Sequence, residues 1–221
     1  MPLFHRSLLR CLYAAALLLP LPALSSTDAL LAAAERGDTA AIRRLLDANT
    51  PVNGRDERGR NAVLAATQEG RIEAARLLIE RGADVNAKDM IHDNAFLLAG
   101  ARGHTEIVRL AIAAGANLSS TNRYGGTALI PACHYGHVDT VRLLVKSGIN
   151  LNHVNNLGWT ALLEAIILGN GGPAHVEIVR LLIEHGANVN LGDRERVSPL
   201  AHATQRGQDA IARLLIRAGA R

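Results

Sequence analysis

Residues 56–88 read DERGRNAVLAATQEGRIEAARLLIERGADVNAK, and related copies of this stretch recur along the chain. Its closing phrase GADVN starts at Gly82 and returns, similar or shortened, at Gly115, Gly148, Gly186 and Gly219, in steps of 33, 33, 38 and 33 residues. A fixed step of this size is typical of a small structural unit that is stacked many times. Stacked units form a long open surface, which favours a function in binding another macromolecule.

Each unit is predicted to contain a turn, a short helix, a tight bend, a longer helix and a loop. In the stretch 56–88, Asn61 is placed to cap a first helix over 62–69, because its side-chain oxygen can accept from free amides of the first turn. A second helix over 72–81 has apolar residues at spacings of three and four, and a glycine follows each helix. So small a helix pair cannot bury its apolar face alone, and neighbouring units must therefore stack.

Six units follow from this pattern. Nine residues before each bend glycine stands a residue that caps helices well: Asp28, Asn61, Asn94, Thr127, Thr160 and Ser198. The predicted unit boundaries are 28–55, 56–88, 89–121, 122–154, 155–192 and 193–221. The fifth unit carries five additional residues, 170–174, which we expect to form a surface loop or, alternatively, a contact on the edge opposite the turns.

The repeated unit resembles the ankyrin repeat. It matches that family with GWTAL at 158–162, HVEIVRLL at 175–182 and GANVN at 186–190, and again with GHTEIV at 103–108. The resemblance extends over 28–221 and implies an all-α ankyrin repeat solenoid of six helix-turn-helix units with projecting turns. It also implies a concave face that binds other proteins.

Two departures from the family pattern are expected to change the structure. The histidine of the family motif TPLH, which ties loops together in ankyrin proteins, is replaced throughout, so some hydrogen bonds between units should be missing. The replacements are Leu31, Leu64, Leu97, Ile130, Leu163 and Ala201. His92 and Arg196 replace the turn glycine, and these turns are expected to be strained or reshaped.

In ankyrin proteins, the target-facing positions flank the turn glycine and precede the glycine that ends the first helix. The resemblance therefore implies partner-binding residues at Met90, Ile91, Arg123, Tyr124, His134, Tyr135, Asn156, Leu157, Trp159, Ile167 and Leu168. Three of the four aromatic residues that follow residue 25 are among them, and Trp and Tyr often dominate binding energy. The alternative is that these are isolated surface aromatics without a function.

The first 25 residues have a different composition from the rest. A short basic start is followed by a nine-residue apolar stretch at 11–19, two prolines, and small residues at 23–25. This layout predicts a signal peptide over 1–25 and an ankyrin repeat domain over 26–221. A retained anchor or a buried helix is the alternative, although 11–19 is too short to span a bilayer. We expect export across the inner membrane to the periplasm, without membrane insertion after signal removal.

Charge and cysteine usage disfavour several other classes of function. Without residues 1–25 the chain has 22 Lys and Arg against 20 Asp and Glu, and it lacks a basic tract, which disfavours nucleic acid as a partner. Only Cys133 remains, so no internal disulfide can form. The pattern Cys133-His134-x-x-His137 could indicate a metal site, but Cys133 replaces a small buried alanine. We expect no metal and no other cofactor.

The function expected from the sequence is that of an exported, non-catalytic protein-binding scaffold, monomeric when unbound, that inhibits or stabilises an envelope protein. The alternative is a small-molecule enzyme or sensor with a site near His134, Glu164 and His202. Glu164 and His202 occupy the same place in adjacent units, and they are predicted to form a hydrogen bond between those units.

Overall fold

The computed structural model describes residues 25–221, which form two layers of helices, twelve in all and without strands. The first helices of the six units are α1 (Ser26–Arg36), α3 (Ala62–Gln68), α5 (Ala95–Arg102), α7 (Leu129–His134), α9 (Ala161–Ile167) and α11 (Pro199–Gln205). The second helices are α2 (Thr39–Asp47), α4 (Ile72–Glu80), α6 (Thr105–Ala113), α8 (Val138–Leu144), α10 (Pro173–Glu184) and α12 (Asp209–Arg217). Except for Ser25, the predicted signal peptide lies outside the described residues.

The helices pack in series, as the repeat predicts. Each first helix contacts its own second helix and the first helices of adjacent units, and the second helices contact one another in the same order. The all-α solenoid predicted from the sequence is therefore confirmed. Within residues 25–221, no helix combines the length and the apolar character that a bilayer span requires.

Four of the six predicted helix caps are confirmed. The side chains of Asn61, Asn94, Thr160 and Ser198 each accept a hydrogen bond from the backbone N–H three residues later. The prediction for Asp28 is wrong, because α1 starts earlier and Ser25 is its cap. Ser25 Oγ accepts from the Asp28 N–H at 3.0 Å and donates to the Asp28 carboxylate at 2.7 Å. Asp28 instead lies in the first turn of α1, where its negative charge interacts favourably with the helix dipole.

Thr127 is the second incorrect cap prediction. Ala128 already has helical dihedral angles, with φ −56° and ψ −27°, and no side chain caps the first turn of α7. The Thr127 hydroxyl is buried and has no hydrogen-bond partner among residues 25–221. The start of α7 is therefore held by packing and by its backbone hydrogen bonds.

Hydrogen bonds between units are more numerous than the loss of the family histidine suggested. Five of its six replacements join the apolar core. The loops are instead connected by asparagine side chains at Asn53, Asn86, Asn152 and Asn190, whose Oδ1 atoms accept from backbone N–H groups of the next unit at 2.7–2.9 Å. Ser119 interrupts this series, but His137 Nε2 lies 3.1 Å from the Ala101 carbonyl at the same junction. Polar contacts therefore link every pair of adjacent units.

The turns at His92 and Arg196 are strained but keep their shape. Both residues have left-handed dihedral angles, with φ of 65° and 62°, as Gly59 and Gly158 have at the equivalent positions. Asp89 holds the His92 turn by accepting from two backbone N–H groups, as Asp56 does in the unit before. The side chain at each position adds a cost of order 1–2 kcal/mol relative to glycine.

Only part of the five-residue insertion is a loop. Pro173 begins α10, which is 12 residues long, whereas α4 and α6 have 9. Proline suits this first helical position because its ring fixes a helical φ and the missing N–H has no partner there in any case. Asn170 lies 3.0 Å from His175 Nδ1, and His175 Nε2 lies 2.8 Å from the carbonyl of His134. The insertion therefore lengthens a helix and is fastened to the fourth unit.

Candidate functional site

A groove of about 1370 Å³ runs along the turns and the first helices of units two to five. Eight of the eleven predicted partner-binding residues line it: Met90, Ile91, Arg123, Tyr124, His134, Tyr135, Leu157 and Leu168. The structure thus brings these eight side chains to one surface. Their role in binding a partner stays a prediction.

Three predicted residues lie outside the groove lining. Trp159 and Ile167 are half-buried, and Asn156 is exposed. Asn156 connects two turns, since its backbone N–H donates to the Tyr124 carbonyl at 2.9 Å and its side chain packs on Gly125. The sequence placed all three beside groove residues but could not show which way their side chains point.

Exposed apolar side chains are concentrated in this groove. Of the nine large hydrophobic residues that are exposed between residues 25 and 221, six line it: Met90 (74%), Ile91 (51%), Tyr124 (55%), Tyr135 (60%), Leu157 (49%) and Leu168 (43%). A contiguous apolar strip in a concave surface is a common mark of an interaction site.

The turns that carry these side chains are held in one conformation. Asn122 Oδ1 accepts from the N–H groups of Tyr124 and Gly126 at 2.9 and 3.0 Å. Asn155 Oδ1 does the same for Leu157 and Trp159, at 3.0 Å each. A preformed binding surface loses little conformational entropy when a ligand binds, which favours affinity.

Four arginines line the groove at the second to fourth units. Arg60 is neutralised by Asp56 at 2.8 Å and Glu35 at 2.9 Å. Arg123 lies 3.8 Å from Asp93 and 4.7 Å from the centre of the Tyr124 ring. Arg58 and Arg102 are exposed and form no salt bridge within residues 25–221. Asp89 and Asp93 also line this part of the groove, so both signs of charge are present there.

At the fifth unit the groove contains a buried carboxyl group, Glu164, which is 7% exposed. Its Oε2 accepts from Asn155 Nδ2 at 3.4 Å, and its Oε1 lies 4.0 Å from His134 Nδ1. Burial raises the pKa of the Glu164 carboxyl to about 7, because the charged form loses its hydration. Burial also lowers the pKa of His134, and the proximity of His175 lowers it further. Both conditions disfavour an ion pair between the two groups.

The predicted hydrogen bond between Glu164 and His202 is wrong. His202 Nε2 lies 2.7 Å from Asp193 Oδ2, and His202 does not line the groove. Each of the two residues contacts the turn residue nine positions before it in its own unit, Asn155 or Asp193. The alternative small-molecule site therefore loses His202, whereas His134 and Glu164 do lie together.

Cys133 is completely buried in α7, which agrees with its interpretation as a small apolar core residue. Burial raises the pKa of its thiol above the ordinary range, and Glu164 contributes in the same direction. A thiol in this setting stays protonated and is a poor metal ligand or nucleophile. In the described part of the chain, no three His, Cys, Asp or Glu side chains are arranged to hold a metal ion.

Comparisons with known proteins agree with the fold. A family model described as ankyrin repeats in three copies matches residues 7–89, 95–190 and 151–221. The crystal structure of an ankyrin repeat domain from Acinetobacter baumannii is 54% identical, with a TM-score of 0.85, over 87% of this chain and 98% of that one. The ankyrin repeat protein EF0377 is 38% identical, with a TM-score of 0.82, over 86% of this chain and 98% of that one. A search of curated proteins gave no significant match.

Proposed function

The chain belongs to the ankyrin repeat family, and we propose that it is an exported, non-catalytic module whose groove binds an envelope protein. Ankyrin repeat domains are in general protein-binding scaffolds. The observation that supports the use of this groove is its strip of six exposed apolar side chains. Transfer of such side chains from water to a protein interface is favourable, and each contributes up to about 1.5–3 kcal/mol when it becomes fully buried.

The groove is tested by removing its two tyrosines. The double variant Tyr124→Ala, Tyr135→Ala should lose its partner in affinity capture from an envelope extract with mass-spectrometric identification. Its affinity for the purified partner should fall at least about tenfold, because exposed aromatic anchors carry much of the binding energy. Trp159→Ala should have a smaller effect, since Trp159 lies outside the groove lining.

A matched control removes exposed apolar surface elsewhere. Ile72 and Ile216 are 39% and 58% exposed and do not line the groove. The variant Ile72→Ser, Ile216→Ser should capture the partner as the wild type does. All variants should keep the helical circular dichroism of the wild type. Equal capture by the tyrosine variant would exclude the groove as the binding surface.

Export is the second part of the proposal, and the composition of residues 1–25 supports it. We expect cell fractionation to find the chain in the periplasm, with a mature N-terminus at or near Ser26. Deletion of 1–25 should leave it in the cytoplasm. Cleavage directly after Ser25 would also remove the cap of α1, at a cost of about 1 kcal/mol. An uncleaved chain in the cytoplasm would contradict export.

The effect on the bound protein takes one of two forms. The module inhibits its partner by covering an active surface, or it stabilises the partner, because a ligand that binds only the folded form shifts the unfolding equilibrium. The captured protein's activity and melting temperature, measured with and without the module, distinguish the two.

A further inference from the structure

The groove contains a buried carboxyl group without a lysine or arginine partner in the described chain. Glu164 is the only acidic residue among the buried residues of the described chain, and no lysine or arginine forms a salt bridge with it. Acidic side chains are rarely buried to this extent unless they are paired, because a charge is costly to remove from water. The Glu164 carboxyl group is therefore available to bind a cation.

The fold does not require an acid at this place. Residues at the equivalent position of the first four units are Ala32, Ala65, Leu98 and Pro131, none of which is charged. The same packing between first helices thus forms with small or apolar side chains. Glu164 lowers stability when it is ionised, which points to a role outside folding.

The groups that contact Glu164 within residues 25–221 include no lysine or arginine. Residues His134 and Cys133 face it from α7, and conditions there favour neutral imidazole and a protonated thiol. On its own turn, Asn155 offers an uncharged amide. On the adjacent helix α11, His202 contacts Asp193 and Arg206 rather than Glu164. Among residues 25–221, no lysine or arginine occupies this position, so a bound ligand can supply the cation.

We propose that Glu164 forms the floor of a subsite that accepts a lysine or arginine side chain from the protein bound in the groove. This inference rests on the proposed function. The aliphatic part of such a side chain would lie along Tyr135, Leu157 and Leu168, which line the same groove and are exposed. Long basic side chains commonly bury their stems against apolar surface in this way.

The free arginines of the groove do not oppose this charge preference. Arg123 of the fourth unit lies 3.8 Å from Asp93 and 4.7 Å from the centre of the Tyr124 ring. Arg58 and Arg102 belong to the second and third units, whereas Glu164 belongs to the fifth. Adjacent helices pack about 8–10 Å apart, which places the third and fifth units roughly 16–20 Å from each other. This separation exceeds the Debye length of about 8 Å at physiological ionic strength. Arg58 and Arg102 therefore act only weakly on a charge at Glu164.

A bound cation would favour the ionised carboxylate, so binding should release a proton near neutral pH. Below pH 7 the free protein holds Glu164 protonated, and the affinity for a basic ligand should fall by up to about tenfold for each pH unit lost. Protonation of His134 at lower pH adds repulsion of the same sign.

The subsite is tested with a randomised dodecapeptide display library selected on the purified protein. Selection on the wild type should enrich one lysine or arginine among apolar residues. The best peptide should bind at least about tenfold more tightly than its version with glutamine in place of the basic residue. Glu164→Gln should abolish that difference. Glu80→Gln removes one exposed carboxylate on the second helix α4, outside the groove, and it should preserve the difference.

Peptides that depend on Tyr124 and Tyr135 but show no basic preference would overturn the subsite and leave the groove intact. A basic preference that survives in Glu164→Gln would also overturn it. Peptides whose binding is unaffected by Tyr124→Ala, Tyr135→Ala would refute the groove itself, and the subsite with it.

Discussion

Leu144→Ala should lower the free energy of unfolding by about 2–5 kcal/mol, whereas Leu143→Ala, one position earlier in α8, should cost less than about 1.5 kcal/mol. Leu144 is completely buried between stacked units, and Leu143 is only half-buried. Removing the Leu144 side chain leaves a cavity that short, closely stacked helices cannot close. The half-buried position relaxes into solvent and leaves little empty space.

Urea unfolding followed by circular dichroism measures both changes. The pair is well matched, because residue type, helix and unit are the same. Leu182, which is also completely buried, should behave like Leu144. In a stack where each unit contacts only its neighbours, a weakened central interface can also reduce cooperativity, so the transition slope should be compared together with the midpoint. Equal destabilisation by Leu143→Ala and Leu144→Ala would show that the observed packing face of α8 is incorrect.

Local signals predicted the repeat well. The helices expected at 62–69 and 72–81 are observed at Ala62–Gln68 and Ile72–Glu80, because caps, glycines and apolar spacing act over a few residues. It was harder to predict which residues of a helix point into the core. The apolar spacing of the second helices predicts Leu143 as well as Leu182 between units, yet Leu143 is only half-buried whereas Leu182 is fully buried. Leu182 is equivalent to Leu144, because each lies four residues before the glycine that follows its helix, and Leu143 lies one position earlier. The apolar run Leu143-Leu144-Val145 does not by itself show which of its residues faces the core.

The sequence predicted most of the residues that line the groove, but it did not predict the contacts that their side chains make. Family positions indicated eight residues that line it, whereas Trp159 shares the register and lies outside. Equivalent positions in adjacent units suggested that Glu164 would contact His202. In the structure, each side chain instead reaches the turn of its own unit. The isolation of Glu164 follows from these contacts, and a sequence pattern does not contain them.

Glu164→Gln should stabilise the protein progressively as the pH rises from 5 to 8. The folded state holds the Glu164 proton up to a pKa of about 7, whereas the unfolded chain releases it near the ordinary glutamate pKa of 4.5. The folded state therefore binds more protons between these values, and its stability falls as the pH increases. Above pH 7 both states are ionised and the penalty stays constant. Glutamine resembles the protonated acid and keeps an oxygen for Asn155, so it avoids the penalty.

The stability difference between Glu164→Gln and the wild type should grow by roughly 2–3 kcal/mol between pH 5 and pH 8. Urea midpoints at the two pH values measure it, and the comparison with the wild type cancels the titration of every other group. Glu80→Gln should show no such growth. An unchanged difference would mean that Glu164 is hydrated in the folded state. Glu164→Gln is expected to be more stable than the wild type at pH 8 and to lose the preference for basic peptides. Stability and binding would then change in opposite directions, so a role in folding could not explain why a glutamate is present at position 164.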